Sequence, residues 1–148
     1  MKAFSFRLDR ILRLKEEAEG QQARVMGEAA RNEAVLDQIC LDQAGYVRKV
    51  GDQAAAITGE RTNAGMLRTR HLTAMAALSQ LEDAERARVE ARKLADVERV
   101  RLAEAQRERQ TLERLKAHQR ETWDQELVRD ERKTMDEVAG RSRGAAGR

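Results

Sequence analysis

The chain has 148 residues, of which 37% are charged and only 3% aromatic, and it contains no Pro. A compact core draws on large aromatic and branched side chains, whereas much of the apolar content here is Ala; the composition excludes an ordinary globule and fits long helices and coiled coils. Formal net charge is +3, but three Arg lie in Gly140–Arg148, and without that segment 26 basic residues balance 26 acidic ones. The concentrated basic face of a nucleic-acid binder is therefore not expected.

The opening segment, Met1–Arg10, reaches Lys2, Arg7, Asp9 and Arg10 before any apolar run could form, so it does not read as a signal peptide. No stretch approaches the ~20 apolar residues that span a bilayer. The chain reads as cytosolic, without direct membrane insertion. Phe4, Phe6, Leu8, Ile11, Leu12 and Leu14 alternate with Arg7, Arg10, Arg13 and Lys15. A basic amphipathic segment of that kind can lie on a membrane surface, but a helix–helix seam explains Phe4, Leu8 and Ile11 without a membrane and is the preferred reading.

Alternating steps of four and three from Phe4 land on Phe4, Leu8, Ile11, Lys15, Ala18, Gln22, Val25, Ala29, Asn32, Leu36, Ile39, Gln43, Tyr46, Val50, Gln53 and Ile57. Eleven of these sixteen positions are apolar, and a 3.5-residue repeat kept in phase for so long predicts a coiled-coil seam. Lys15, Gln22, Asn32, Gln43 and Gln53 interrupt it; polar seam residues lower stability but fix register. Gly20, Gly27, Gly45 and Gly51 weaken this helix by ~1 kcal/mol each relative to Ala.

The run breaks at Thr58-Gly59-Glu60-Arg61-Thr62-Asn63-Ala64-Gly65. Gly59 can end one helix and Thr62 or Asn63 can cap the next. From Met66 to Ala139 there is neither Gly nor Pro, so a second helix meets no obligatory stop. Leu72, Met75 and Leu78, then Leu94, Val97 and Val100, then Leu112 and Leu115 mark its expected seam. Glu82–Lys93 is charged at eight of twelve positions and reads as solvated helix surface.

The predicted fold is all-α, a long antiparallel two-helix coiled-coil hairpin. Helix 1 covers about 4–58, the turn about 59–65 and helix 2 about 66–139, with 140–148 a flexible basic tail. Pairing the arms one for one matches 4–58 with about 66–120 and leaves 121–139 as an overhang. Trp123, Leu127, Met135 and Val138 fall within ~120° on its helical wheel, and an apolar face without an internal partner marks an interaction site. Phe4 and Phe6 folding back over part of it is the competing arrangement.

Nothing in the sequence points to catalysis, a metal or a cofactor. His71 and His118 stand singly, without the second ligand one turn away that zinc requires. Paired carboxylates need a cleft that shifts their pKa values, and a two-stranded coil has none. Gly59 and Gly65 lack the Lys of a phosphate-binding loop and read as turn glycines. Cys40 is the only cysteine and reads as a small buried or half-buried thiol.

Both ends of the chain carry more than generic coiled-coil pattern. Phe4-Ser5-Phe6-Arg7-Leu8-Asp9-Arg10-Ile11-Leu12-Arg13-Leu14-Lys15 resembles the start of the flagellar FliJ family, "F-x-F-x-L-x-x-[IL]-L". Glu131-Arg132-Lys133-Thr134-Met135-Asp136-Glu137-Val138-Ala139 is similar to that family's "E-x-K-x-[ML]-D-E-[FIV]-A". The length and a Gly-containing central turn also agree; a glycine-rich first arm departs from the pattern.

The resemblance implies a non-enzymatic component of the bacterial flagellar type III export apparatus. It would be cytoplasmic and peripherally associated with the inner face of the cell membrane. Its implied partners are the hexameric export ATPase, the export gate membrane protein and export chaperones. On that basis the tip half would meet the gate, with Tyr46 at its edge. The overhang and first turns would enter the ATPase ring: Phe4, Trp123, Leu127, Met135 and Val138 would supply apolar contact, and Asp136 and Glu137 polar contact. The stalk of a virulence-type secretion system and a structural coiled-coil homodimer are the alternatives the residues leave open.

Overall fold

A computed structural model describes residues 3–56 and 63–145, with side chains as far as Val138. Two helices carry nearly all of them, α1 over Asp9–Ala55 and α2 over Ala64–Ala145, and no strand occurs among the described residues. Contacts divide the chain into two compact units, Met1–Glu19 with Glu104–Arg148, and Gly20–Ala103. In the first, Asp9 pairs with Lys116 and Lys15 with Glu108; in the second, Gln22 meets Glu98 and Asp37 meets Arg88. Residue numbers rise on one helix as they fall on the other within each unit. This is the expected all-α, antiparallel two-helix pairing of a coiled-coil hairpin.

The helix bounds differ from the sequence expectation at both ends. α1 starts at Asp9 rather than Phe4. Ala3–Phe6 is not helical, Arg7 and Leu8 form a turn, and the Asp9 amide donates to the Phe6 carbonyl at 3.1 Å. An acid in the first turn favours a helix start, because it faces the positive end of the helix dipole. α2 continues to Ala145 instead of stopping at 139, so Gly140–Ala145 is helical rather than a free tail. No Pro interrupts it, and basic residues suit the negative carboxyl end of a helix.

The proposed turn residues Thr58, Gly59 and Thr62, and the seam residue Ile57, lie outside the described residues. Asn63 caps α2 as expected. Its side-chain oxygen accepts the Gly65 amide at 2.9 Å, and its carbonyl accepts those of Met66 and Leu67. Gly65 consequently sits in the first turn of α2 and not in the connection.

The seam has the expected period but a shifted phase. The inward column of α1 in the second unit is Gln22, Met26, Ala29, Glu33, Leu36, Cys40, Gln43, Val47 and Val50, all buried or half-buried, in strict steps of four and three. Gln22, Ala29, Leu36, Gln43 and Val50 were expected there. The residues between them are displaced by one: Met26 replaces Val25, Cys40 replaces Ile39 and Val47 replaces Tyr46. In the first unit Leu12 likewise replaces Ile11. Ile11, Val25, Ile39 and Tyr46 are between 41 and 46% exposed.

On α2 the correction is larger. Leu72, Met75, Leu78, Leu94, Val97 and Val100 all face solvent, while Ala74, Ala77, Leu81, Ala84, Ala91, Ala95, Glu98 and Leu102 face inward. Leu112 remains half-buried, as expected. Two physical reasons select this phase. Small side chains let the backbones approach and gain dispersion contacts along their whole length. The inward acids of α1 also find cations opposite: Glu33 pairs with Arg99 at 2.9 Å, and Glu19 pairs with Arg109. Burial is shallow throughout, and no large side chain among the described residues is completely enclosed.

One polar layer crosses the seam. Glu98 is only 4% exposed; its carboxylate accepts from Gln22 Nε2 at 2.5 Å and from Arg101 Nη1 at 2.6 Å. Gln43 Oε1 is buried with no hydrogen-bond partner. Cys40 is buried and free, matching the reading of a small buried or half-buried thiol.

Candidate functional site

The unit holding both the chain's first residues and the far part of α2 brings together most of the candidate residues. Residues 3–6 are not helical, so they can advance by more than the 1.5 Å per residue of a helix, up to ~3.3 Å. Asp9 pairs with Lys116, yet Phe4, five residues earlier, already reaches Trp123. The non-helical segment therefore lies along α2 as a strap.

Two aromatic rings fasten that strap. Phe6 is 6% exposed, and Leu12, at the first inward position of α1, is 5% exposed. The Lys116 ammonium stands 5.8 Å from the Phe6 ring centroid. Phe4 meets Trp123 with ring centroids 6.1 Å apart and a tilt of 56°, a separation at which edge-to-face aromatic attraction operates. The Arg120 guanidinium lies 5.3 Å from the Phe4 ring and 5.9 Å from the Trp123 ring. One cation thus serves both π faces.

Asp9 locks the base of the strap. Lys116 Nζ donates to it at 2.6 Å and Arg13 approaches at 3.0 Å. The Lys116 hydrogen bond, reinforced by the charges of Lys116 and Arg13, holds the Asp9 carboxyl below the usual carboxylate range against an opposing desolvation effect. Lys15 bonded to Glu108 at 2.6 Å, and Arg109 held between Glu19 and Glu113, continue the ionic lacing along the same unit.

The partial covering by Phe4 and Phe6 thus forms, and among the described residues its last aromatic contact is with Trp123. Beyond that residue α2 has no cross-helix partner among the described residues. Leu127 is half-buried, Val128 is 45% exposed, Met135 73% and Val138 62%. Trp123, Leu127 and Met135 line a shallow recess with Glu126, Asp130, Glu131 and Thr134. Asp136 and Glu137 are exposed on the same stretch. The result is a narrow apolar stripe edged by carboxylates, suited to another protein's apolar side chains flanked by cations.

Tyr46 belongs to the other unit and is not part of this cluster. It is 45% exposed and borders a shallow groove with Lys49, Val50, Gln53, Ala54, Arg70 and Thr73. Lys116 and Arg120 belong to no motif of the sequence. Their signal is the spacing of Arg120 one turn before Trp123, which becomes legible only once Phe4 is known to arrive there. Among the described residues no cluster of His, Cys, Asp or Glu could hold a metal ion, and no helix is long and apolar enough to cross a membrane.

Searches among curated proteins and among solved structures find no match. The model of one family, described as the flagellar FliJ protein, matches residues 4–148, essentially the whole chain. With its paired helices, aromatic N-terminal strap and acid-edged terminal stripe, the chain belongs to the flagellar FliJ family of non-catalytic components of the type III export apparatus.

Proposed function

We propose that this protein couples the export ATPase to the rest of the flagellar export apparatus by binding both, with α2 beyond Trp123 as the ATPase-binding end. The observation that carries this reading is the unequal reach of the two helices. Among the described residues the strap makes its last aromatic contact at Trp123, while α2 continues through Leu127, Met135, Asp136, Glu137 and Val138 without a cross-helix partner. An apolar stripe left uncovered on an otherwise highly charged helix is the usual mark of a protein-binding surface. Phe4 and Trp123 fix where that stripe begins.

On this reading the half nearer the connection, with Tyr46 exposed on it, meets the export gate and the export chaperones. The protein works in the cytoplasm and gathers at the inner face of the membrane through those partners, supporting flagellum assembly and motility. Truncation after Glu126 tests the ATPase assignment while sparing the Phe4–Trp123 contact. The shortened protein should keep its helix content, judged by circular dichroism, and lose both binding to the ATPase hexamer and stimulation of ATP hydrolysis. Full stimulation by the truncated protein would place the ATPase contact elsewhere.

A further inference from the structure

We propose that the surface seated on α2 beyond Trp123 is basic: an apolar strip of the partner, flanked on both sides by Lys or Arg side chains. The proposal deepens the reading above by naming the chemistry of the bound surface, and it rests on that reading only for which protein supplies it.

At about 100° per residue, half of the sixteen residues from Trp123 to Val138 fall within an arc of ~140° around the helix. Trp123, Leu127, Thr134 and Val138 run down its middle. Glu126, Asp130 and Glu137 follow one edge, and Glu131 stands on the other. No cation lies in the arc; Arg129, Arg132 and Lys133 all fall outside it. Only Asp130 reaches a cation, Lys133 at 3.7 Å, through two exposed side chains. Glu126, Glu131 and Glu137 have no ion-pair partner among the described residues. These carboxylates are strung along ~17 Å of helix instead of converging, and no group among the described residues could hold a metal ion.

Nearer the start of this unit, the same side of α2 carries the opposite sign. Arg109 and Lys116 project there, half-buried, and take Glu19 and Asp9 of α1. Glu113, the half-buried acid of that stretch, is bonded to Arg109. α2 thus presents cations where acids of α1 face it, and carboxylates beyond the strap's last aromatic contact. Charges that flank an apolar helix seam select the partner by sign. Burial of Trp123 and Leu127 supplies the attachment, while the carboxylates steer basic surfaces in and turn acidic ones away.

The test is a titration of the full-length protein followed by the emission of Trp123, the only tryptophan of the chain. Two synthetic amphipathic helical peptides without Trp serve as probes, one built from Leu and Lys and the other from Leu and Glu. The Leu–Lys peptide should shift the emission, with an affinity that falls as salt rises, and the Leu–Glu peptide should leave it unchanged. Glu126→Gln, Asp130→Asn and Glu131→Gln together should weaken Leu–Lys binding by roughly tenfold, a few-fold for each exposed pair, at unchanged helix content. Arg129→Gln with Arg132→Gln, outside the arc, should bind the peptide at least as tightly as wild type.

No shift with the Leu–Lys peptide, equal affinity of the neutralised variant, or tighter binding of the Leu–Glu peptide each overturns the proposal. So does an emission that changes with protein concentration alone, which would make a second copy of the chain the occupant. The purified ATPase hexamer separates this proposal from the assignment above. A full-length protein that binds the Leu–Lys peptide but not the hexamer upholds the basic surface and removes the ATPase as its source. Hexamer binding undiminished in the neutralised variant leaves the ATPase assignment standing and overturns the basic surface.

Discussion

Three glycines of α1 stand where the structure gives glycine no task. A Cβ built on Gly20, Gly45 or Gly51 meets nothing within 4 Å, and no described glycine has a positive φ. Replacing each by Ala should therefore add only the difference in helix propensity, about 1 kcal/mol per site. Gly45 and Gly51, the nearest two, are ~9 Å apart along the axis, far enough for the effects to add. The triple variant should gain about 3 kcal/mol, which at ~2–4 °C per kcal/mol for a chain of this size raises the thermal midpoint by about 6–12 °C. Thermal melts followed by circular dichroism measure it. A triple variant that melts at or below the wild-type temperature would show that these glycines serve a bend or a close approach that α1 does not display.

Asp9 makes the N-terminal strap sensitive to acid. Its carboxyl is held below the ordinary value of 3.8 by Lys116 and Arg13, so its contribution is complete above that value and disappears as pH falls through the lowered one. Wild type should melt above Asp9→Asn by a constant margin from neutral pH down to about 4, and the two should converge in stronger acid; a margin unchanged below pH 3 would remove Asp9 from the account. Glu98→Leu should lower stability by about 1–3 kcal/mol, because the Gln22 amide is stranded in the seam. Gln22→Leu combined with Glu98→Leu should recover that loss or exceed it, and a double variant no more stable than the single one would refute the pairing.

The period of the seam was legible in the sequence and its phase was not, for a reason visible at Gln22, Ala29 and Leu36. These residues fit either neighbouring column, and the larger apolar side chains of α1, Val25 and Ile39 among them, favour the column that stays outside. The deciding information lies across the interface. α2 offers Ala77, Ala91 and Ala95 where close approach is needed, and Arg99 and Arg109 where Glu33 and Glu19 point. A pattern read along one helix cannot contain those pairings. Choosing Leu72, Leu94 and Val97 as the seam of α2 failed for the same reason, since size signals burial only when the partner leaves room for it.

The terminal stripe was more legible. Counting arms predicted an uncovered α2 beyond about residue 120, and Trp123 contacting Phe4 places its start within three residues of that count. The small error comes from treating residues 4–8 as helix. Non-helical chain covers more of α2 per residue, so the covered stretch is longer. Arg120 between two rings was hidden because its role exists only once the strap is in place.

The alanine-lined seam also governs how this molecule responds to temperature and to occupancy. Unfolding wets little hydrocarbon when the interface is built from methyl groups, so the heat capacity increment should fall below the ~12–15 cal/mol/K per residue of globular domains. The curve of stability against temperature is then shallow, and urea should unfold the chain with a low slope for its length. Against so flat a background, a partner that binds only the folded helices dominates. At one hundred times its dissociation constant it adds about 2.7 kcal/mol, so assembly, more than its own interior, sets how persistently the pair of helices stays formed.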